Sequence, residues 1–440
     1  MKIALIGAGS TIFMRNIVGD CLLTPSLSDA EFALMDIDAA RLAQSSAVAQ
    51  AMIAQTGAGA KVMATTDRRA ALDGADFVVT AFQVGGYHPC TVTDFEIPKA
   101  YGLRQTIGDT LGVGGIMRAL RTVPVLWDIA ADMAQLCPGA LMLQYVNPMA
   151  MNTMALAEAF PALRQVGLCH SVQNTVQEIA HDLNLAPQDF RYKVAGVNHV
   201  AFFLALEHEG RSLYPALRQG YRSGALPKPP LLMPRCENRV RYEVMDHLGY
   251  FCTESSEHLA EYVPWFIKDG RADLIRDFAI PLDEYPQRCI EQAAEWQDLD
   301  PATVEICKSH EFAAEIMNAE VTNTPYVAYG NLPNTGQIPQ LPLGAAVETP
   351  CLVDANGVQP SVVQDIPPQL IALMRSQINV QELAVRALID QDRAHIYHAA
   401  MMDPHTAAEL DLRQIRSLVD DLLTAHGDWI PAWAQTDKAA

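Results

Sequence analysis

The first 170 residues of this 440-residue chain alternate short apolar runs with segments of helical periodicity, and this alternation restricts the fold more than any other feature. Predicted strands cover 2–6, 31–36, 61–66, 77–82, 141–146 and 165–169, and the predicted helices between them include 39–55 and 117–136. Strands that alternate with helices favour a parallel sheet with crossover helices. We therefore predict an α/β domain over residues 1–190.

The pattern changes after residue 190. Strands are predicted at 192–198 and 200–206, before a helix-rich stretch that contains a proline-rich segment at 227–234. Paired strands are predicted over 331–342 and 344–359, with helices near 380–390 and 407–426. This mixture predicts a second, α+β domain over residues 191–440, in which we place the substrate and metal site and the contacts between subunits.

A glycine-rich turn follows the first predicted strand. Gly7 and Gly9 precede Ser10 and Thr11, where a helix is expected to begin. Such a turn lets the backbone approach a pyrophosphate closely at the N-terminus of a helix. The third glycine of the usual dinucleotide fingerprint is replaced by Ile12, so the motif alone is incomplete.

An acidic residue at the end of the second predicted strand strengthens this interpretation. Asp36 lies where a carboxylate would accept hydrogen bonds from the adenosine ribose, which favours NAD over NADP. Helix capping is the alternative role, but Asp38 is better placed to cap the next helix. The fifth strand ends at Asn147, which resembles the lactate and malate dehydrogenase superfamily, where such an asparagine lies near the nicotinamide. We expect a Rossmann-type NAD-binding domain.

Composition excludes several classes of partner. With 31 basic and 51 acidic side chains the net charge is −20, which disfavours binding to nucleic acid or to an anionic membrane. No apolar run approaches the roughly 18 residues that span a bilayer, and the first residues lack a signal-peptide pattern. Nine cysteines without a CxxC pair fit reduced thiols. We expect a cytoplasmic protein without a membrane partner.

Two strand ends carry potential metal ligands. Cys169 ends one predicted strand and His199 ends another about thirty residues later. Strand ends at the carboxyl edge of such a sheet converge on the cofactor cleft, where a thiolate and an imidazole could bind a divalent cation. From the residues alone, a buried thiol and a hydrogen-bonded core histidine remain the alternatives.

Taken together, the motifs resemble the family 4 glycoside hydrolases, most closely those of the melibiase type, which are α-galactosidases. The motifs are GAGST at 7–11, AFQVGGY at 81–87, QTIGDTLG at 105–112, YVNPM at 145–149, GLCHS at 167–171, GVNH at 196–199, EHLAEYVPW at 257–265, HAAMMDPH at 398–405 and AHGDW at 425–429. They are spread over nearly the whole chain, and their common order is more specific than any single motif.

This resemblance implies hydrolysis of α-galactosides without net redox change. In the family, bound NAD oxidises the sugar 3-hydroxyl, which acidifies the C2 hydrogen. Loss of that proton lets the C1 substituent leave by elimination, and water addition and reduction complete the cycle. The resemblance also implies a Mn²⁺ ion, bound by Cys169 and His199, that stabilises the enediolate through the C2 and C3 oxygens. This route is an exception to the two-carboxylate scheme of other glycosidases.

The resemblance implies substrate contacts for three further residues. Asn147 would orient the C2 and C3 oxygens, although it could equally be a turn residue before a proline. Asp109 would assist the leaving oxygen or bind sugar hydroxyls, and a solvated loop acid is its alternative. Arg118 would face the substrate, unless it only begins the exposed side of the following helix.

The proton-transfer residues are less sharply defined. Tyr262 is the favoured C2 base, with His258 as the runner-up, because both lie in the stretch that resembles the base region of the family. Packing in the core is the alternative role of Tyr262. His170 stands where phosphoglycoside-hydrolysing relatives have an aspartate, so it is a catalytic candidate and the identity of the general acid stays open.

Other functions remain possible from the sequence. An α-glucosidase or an α-galacturonidase of the same family differs only in contacts to O4 and C6. A NAD-dependent 2-hydroxyacid dehydrogenase would use His199 as proton acceptor, and a non-catalytic NAD-sensing or carbohydrate-binding protein would need no metal. We expect a small-molecule carbohydrate as substrate and a homo-oligomer, either a dimer or a tetramer, because the second domain has apolar helices.

Overall fold

The computed structural model describes residues 1–231, 237–298 and 301–435. The strands of these residues are β1 Lys2–Ile6, β2 Glu31–Met35, β3 Lys61–Thr65, β4 Phe77–Thr80, β5 Leu141–Gln144, β6 Gln165–Gly167, β7 Phe190–Val197, β8 Val200–His208, β9 Arg211–Ser212, β10 Tyr326–Pro333, β11 Ala346–Asp354 and β12 Gly357–Pro360.

The α-helices of the same residues are α1 Thr11–Leu22, α2 Ala39–Thr56, α3 Arg68–Leu72, α4 Val92–Ala100, α5 Gly112–Leu136, α6 Met149–Ala159, α7 Ser171–Leu183, α8 Tyr214–Arg222, α9 Arg239–Leu248, α10 Ser256–Tyr262, α11 Ala272–Asp277, α12 Glu284–Asp298, α13 Ala313–Thr322, α14 Pro368–Asp390, α15 Arg393–Met402, α16 Pro404–Glu409, α17 Leu412–His426 and α18 Ala432–Gln435. Among them, no helix is both long and apolar enough to cross a membrane.

The first six strands form a parallel sheet in the order β3-β2-β1-β4-β5-β6. In its register, Ile6 at the end of β1 lies beside Met35 of β2 and Thr80 of β4. The strand order reverses next to β1, and ligands of such sheets bind at this reversal, beyond the carboxyl ends of the strands. The predicted Rossmann-type arrangement is confirmed, and the glycine turn lies at this position.

Two antiparallel strands extend the sheet to the β7–β8 hairpin. β10 pairs with β6 through Asn331 opposite Gly167, and β11 pairs with β7 through Glu348 opposite Gly196. The paired strands predicted over 331–359 are present, but β10 begins earlier, at Tyr326. One sheet thus runs across the boundary that we predicted at residue 190, and the division into two domains stays a prediction. The proline-rich segment predicted at 227–234 lies partly outside the described residues.

Three helices differ from the predicted ones. The helix predicted near 380–390 is the end of α14, which begins at Pro368. α5 begins at Gly112 rather than 117. The sequence did not predict this first turn because it contains glycines, which have low helix propensity. A Cβ on Gly114 would lie 2.2 Å from the Gly108 carbonyl oxygen, so close packing requires a glycine there. The helix predicted at 407–426 is divided into α16 and α17. The side chain of Asp411 accepts hydrogen bonds from two backbone N–H groups and starts α17 as a separate helix.

Candidate active site

The glycine turn between β1 and α1 has the form of an anion-binding cradle. Gly7 has a φ of +91°, and a Cβ there would lie 2.4 Å from the Ala81 carbonyl oxygen. The Gly9 N–H donates to Asp36 Oδ2 at 2.8 Å, and a Cβ on Gly9 would lie 2.6 Å from that oxygen. Ser10 then precedes α1, whose N-terminal dipole attracts anions. Only glycine therefore fits at both positions, and the turn brings its backbone to the N-terminus of α1, where an anion such as a pyrophosphate can bind.

The carboxylate of Asp36 is directed toward this turn rather than used as a helix cap. Its other oxygen accepts from the Asp38 N–H at 2.9 Å. As expected, Asp38 caps α2 by accepting from the N–H groups of Ala40 and Arg41. Asp36 thus lies beside the cradle, where a ribose hydroxyl is expected.

Three potential metal ligands converge in the described part of the chain. The ligand atoms of Cys169, His199 and Glu254 all lie within 4.8 Å of one another. His199 Nε2 is 3.2 Å from Glu254 Oε2, and Cys169 Sγ is 3.8 Å from the same oxygen. The predicted closeness of Cys169 and His199 is therefore observed. Glu254 was not predicted from the sequence.

Of these ligands, the Cys169 thiol is the one that would lose a proton when a cation binds. Burial raises the pKa of the Cys169 thiol well above 9, and the charges of Glu254 and Glu348 raise it further. Burial would also raise the pKa of Glu254, but His199 and His258 lower it to about 2. Because a metal must displace the thiol proton, cation binding here would release a proton to solvent.

His199 occupies the two-residue turn between β7 and β8. It has a φ of +66°, a left-handed conformation that is uncommon for a residue other than glycine. Such strain is often found at functional sites. While Nε2 faces Glu254, Nδ1 lies 3.0 Å from the Tyr262 hydroxyl. This second contact fixes the orientation of the imidazole, as outer partners of metal-bound histidines do.

Helix α10 presents both candidate bases to this group. Burial lowers the pKa of His258 to about 4, although Glu254 acts in the opposite direction, so the imidazole is neutral at pH 7 and can accept a proton. Burial raises the pKa of Tyr262 well above 10, and the carboxylates of Glu261, Asp109 and Glu254 add to this. A cation held at Glu254 would counteract those charges and favour the tyrosinate. The geometry therefore does not decide whether Tyr262 or His258 is the base.

Asp109 lies in a buried polar group with the two predicted substrate contacts. Its carboxylate accepts from Thr110 Oγ1 at 2.6 Å and from Asn147 Nδ2 at 3.1 Å, and it lies 3.5 Å from Arg118 NH1. Burial alone would raise the pKa of Asp109, but Arg118 and the nearby histidines hold it below its usual value. Asp109 is thus ionised, and the alternative of a solvated loop acid is excluded.

Arg118 is buried, which excludes the alternative of an exposed residue at the start of a helix. Besides Asp109, its guanidinium donates to the Tyr285 hydroxyl at 3.3 Å. Tyr285 in turn donates to Gln83 Oε1 at 3.1 Å. Neither Tyr285 nor Gln83 was singled out in the sequence.

Unlike Asp109 and Arg118, His170 is partly exposed to solvent. Its side chain is 43% exposed, and Nδ1 lies 3.6 Å from Glu311 Oε1. Exposure leaves the imidazole accessible to a ligand, while Glu311 offers an orienting carboxylate. Its role as general acid stays a prediction.

A second buried carboxylate lies near the thiol. Glu348 on β11 is fully buried and accepts from Asn331 Nδ2 at 3.3 Å. Burial raises the pKa of Glu348 from 4.5 to about 8, so the side chain is neutral at pH 7.

This burial predicts a pH-dependent stability. The folded chain binds the Glu348 proton more tightly than the unfolded chain, so the free energy of unfolding falls as the pH rises from about 4.5 to about 8. Each unit of pKa difference corresponds to about 1.4 kcal/mol. Because glutamine resembles the neutral acid, Glu348→Gln should be more stable than the wild type at pH 8 by a few kcal/mol and nearly equal to it at pH 5. Urea unfolding at both pH values, with a chelator present, measures this difference. A difference independent of pH would contradict the prediction.

Comparisons with known proteins identify the family. Residues 2–185 match the sequence profile described as "Family 4 glycosyl hydrolase", and residues 194–406 match the profile of the C-terminal domain of the same family. The chain belongs to family 4 of the glycosyl hydrolases. The predicted family and the predicted class of enzyme, a glycoside hydrolase, are therefore confirmed.

Individual relatives agree with this assignment. An α-galactosidase of Bacillus subtilis is 44% identical over 437 residues, with 98% of this chain and 99% of the relative covered. A solved structure of a Bacillus subtilis protein described as a glucosidase is 25% identical, with a TM-score of 0.86 over 96% of this chain and 99% of the other. A 6-phospho-α-glucosidase from gut microorganisms, solved with NAD and Mn²⁺, is 21% identical, with a TM-score of 0.78 over 98% of this chain and 99% of the other. The last likeness supports the fold.

Proposed function

We propose that this protein hydrolyses small, unphosphorylated α-galactosides by an NAD- and Mn²⁺-dependent route of oxidation, elimination, addition and reduction. The observation that carries the proposal is the convergence of Cys169, His199 and Glu254, with the Tyr262 hydroxyl on the far side of the His199 ring. A hydrolase that relied on two carboxylates would not need a thiol and an imidazole placed in this way. The α-galactosidase that is 44% identical over nearly the whole chain supports the choice of sugar.

The residues present fit both cofactors. A Cβ at Gly7 would clash with Ala81 and one at Gly9 with Asp36, so this tight turn requires glycines at the N-terminus of α1, where the NAD pyrophosphate would bind with Asp36 at the ribose. The thiolate, imidazole and carboxylate donors within 4.8 Å could hold a divalent transition metal, and the Glu254 carboxylate is the kind of donor that suits Mn²⁺. When bound, NAD supplies a hydride acceptor at C3, and Mn²⁺ supplies positive charge at the C2 and C3 oxygens.

Proton transfer at C2 falls to helix α10. Tyr262, our preferred base, would act as the phenolate, whose oxygen would accept a hydrogen bond from His199 Nδ1–H when Nε2 binds a metal. Taking the C2 proton would convert the phenolate into the neutral hydroxyl. His258 is the alternative base, because its imidazole is neutral and lies 4.8 Å from that of His199, measured between ring centroids.

The other polar residues bind and orient the sugar. We assign the Asn147 amide, which donates to Asp109 at 3.1 Å, to the C2 and C3 hydroxyls. Asp109 contacts sugar hydroxyls or the leaving oxygen, with Arg118 keeping it ionised. His170 is a candidate for the general acid, since its imidazole is partly exposed and lies near enough to influence the carboxylate of Glu254.

A neutral galactoside fits the charges better than a galacturonide. The Arg118 guanidinium lies against Asp109, and Arg288 contacts Glu257 at 2.8 Å and Glu284 at 3.3 Å. A substrate carboxylate would have to compete with these pairs. An α-glucosidase is the second candidate, because an α-glucosidase of Erwinia rhapontici is 30% identical over 98% of this chain.

Hydrolysis of nitrophenyl α-galactoside with added NAD and Mn²⁺ tests the proposal. We expect turnover without accumulation of NADH, and a higher kcat/KM than for the α-glucoside, the α-galacturonide or a 6-phosphosugar. Stoichiometric NADH would indicate the dehydrogenase that we considered from the sequence. A preference for another sugar would correct the substrate class.

We also infer a homo-oligomer, a dimer or a tetramer, located in the cytoplasm. The free thiols among the described residues, seven of them at least partly buried, support a reducing compartment. Exposed apolar side chains such as Trp265, Val327 and Leu352 support subunit contacts. Sedimentation of the full chain measures the number of subunits.

The Asp36 carboxylate gives a prediction for NAD binding. Asp36→Ala removes a charged hydrogen-bond acceptor, which contributes about 1.5 to 3 kcal/mol, so the Kd for NAD should rise at least tenfold and the discrimination against NADP should fall. Asp38→Ala is the matched control, because it removes only the helix cap of α2 and should lower stability while leaving NAD affinity nearly unchanged. Calorimetric titration with both nucleotides measures the effect. Equal losses in the two variants would contradict the assignment.

A further inference from the structure

Glu261 is a buried carboxylate to which the mechanism above assigns no role. Its Oε2 accepts from the backbone N–H groups of Thr106 at 2.8 Å and Ile107 at 3.2 Å, and its Oε1 accepts from Gly108 N–H at 2.8 Å. Three consecutive backbone N–H groups that converge on one anion form a nest. Here a side chain of the protein itself occupies the nest.

The loop that Glu261 holds leads directly into Asp109. A fourth hydrogen bond, from Thr106 Oγ1 to the Glu257 carbonyl oxygen at 2.7 Å, connects the same loop to α10. On its other side the loop is pressed against α5, where a Cβ on Gly114 would lie 2.2 Å from the Gly108 carbonyl oxygen. The loop is therefore fixed between α5 and α10.

This arrangement links two parts of the site that are far apart in sequence. Glu261 directly precedes Tyr262 on α10, and the residue that follows the loop is Asp109, which contacts Asn147. Displacing the loop at 106–108 from α10 would change the distance between Asp109 and Tyr262. Helix α10 thus supplies both a candidate base and the clamp that positions the opposite wall.

We propose that Glu261 is a positioning residue that sets the place of Asp109 relative to Tyr262. The inference rests on the proposed function, because its effect is exerted through Asp109 during turnover. Glu261 itself touches neither substrate nor cofactor. Its contribution is a fixed geometry, and a displacement of about 1 Å in such a site can cost about 100-fold in rate.

Glu261→Gln tests this role. Glutamine keeps the length of the side chain but replaces one acceptor oxygen with an NH₂ donor, which would face a loop N–H and leave it without a partner. We expect kcat at saturating NAD and Mn²⁺ to fall between about 10- and 100-fold, with KM and the Kd for NAD nearly unchanged. In an Asp109→Asn background the same substitution should cause almost no further loss, because residues that act as one unit are not additive.

Two further variants keep the test decisive. Asp20→Asn is the matched control, since Asp20 is also a buried carboxylate that accepts from a backbone N–H and a hydroxyl, both of Ser309, but lies on α1. It should lower the melting temperature without lowering kcat. If Glu261→Gln does not fold, Thr106→Ala removes the hydrogen bond from the loop to the Glu257 carbonyl oxygen while the Glu261 carboxylate stays. It should lower kcat several-fold, again only when Asp109 is present.

The outcomes separate this inference from the proposed function. Full activity of Glu261→Gln, or an equal loss with and without Asp109, would refute the positioning role while leaving the α-galactosidase activity intact. An inactive wild type on α-galactosides would refute the proposed function instead. A loss of kcat that disappears in the Asp109→Asn background supports both.

Discussion

Replacing Cys169 by serine is expected to abolish metal-dependent turnover while leaving NAD binding intact. The thiol sulfur is a soft donor within 4.8 Å of the His199 and Glu254 ligand atoms, and a hydroxyl binds transition metals much more weakly than a thiolate does. Losing an outer partner of a metal ligand costs 10- to 100-fold in affinity, so losing the ligand itself should raise the Kd for Mn²⁺ by more than about 100-fold. The NAD cradle at Gly7 and Gly9 is a separate structure.

The measurements are a Mn²⁺ titration followed by electron paramagnetic resonance, and an NAD titration on the same preparation. Cys137→Ser is the matched control, because Cys137 is also a buried free thiol but lies just beyond the end of α5. It should bind Mn²⁺ like the wild type. Wild-type Mn²⁺ affinity and activity in Cys169→Ser would refute the metal assignment.

Tyr262→Phe is expected to have the second large effect. A general base contributes about 10²- to 10⁴-fold to the rate, so kcat should fall by a factor in this range while KM changes little. Because the hydroxyl also lies 3.0 Å from His199 Nδ1, the variant should bind Mn²⁺ up to about 100-fold more weakly, and turnover must be compared at saturating metal.

His258→Asn is the paired variant for this test. If Tyr262 is the base, the asparagine variant should retain proton exchange at C2, although the loss of the contact between His258 Nδ1 and Ser255 Oγ will lower its stability. A reversed pattern, in which His258→Asn loses exchange and Tyr262→Phe keeps it, would assign the base to His258. The two substitutions thus resolve the alternatives that the geometry leaves open.

The parallel half of the fold could be predicted because its signals are local. Strands β1 to β6 begin at the predicted residues and end within two residues of the predicted ends. Apart from the partly exposed edge strand β3, they are buried parallel strands, which are continuous apolar runs. The start of α5 could not be predicted, because Gly112, Gly114 and Gly115 have low helix propensity. In the structure Gly112 has a φ of +69°, and Gly114 and Gly115 pack against the backbone of Gly108 and Thr110. The extension of the sheet through β10 and β11 depends on pairings between residues far apart in sequence.

In the candidate site, too, some residues could be predicted from the sequence and others could not. Cys169 and His199 could be found because each follows a strand-like run and carries a side chain with distinctive chemistry. Glu254 was missed because a carboxylate in an acidic chain is not distinctive, although its spacing of four residues from His258, and of four more to Tyr262, was a usable signal. Glu261 could not be recognised at all, since its partners are backbone N–H groups of the loop at 106–108.

The most direct test of the account is the fate of the hydrogen at C2. Oxidation at C3 followed by elimination must break the bond between C2 and its hydrogen, whereas a direct displacement at C1 never does. When the wild-type protein hydrolyses an α-galactoside in heavy water with NAD and Mn²⁺, proton NMR should show deuterium at C2 of the released sugar. Product that carries only protium at C2 after complete turnover would contradict the redox-assisted mechanism.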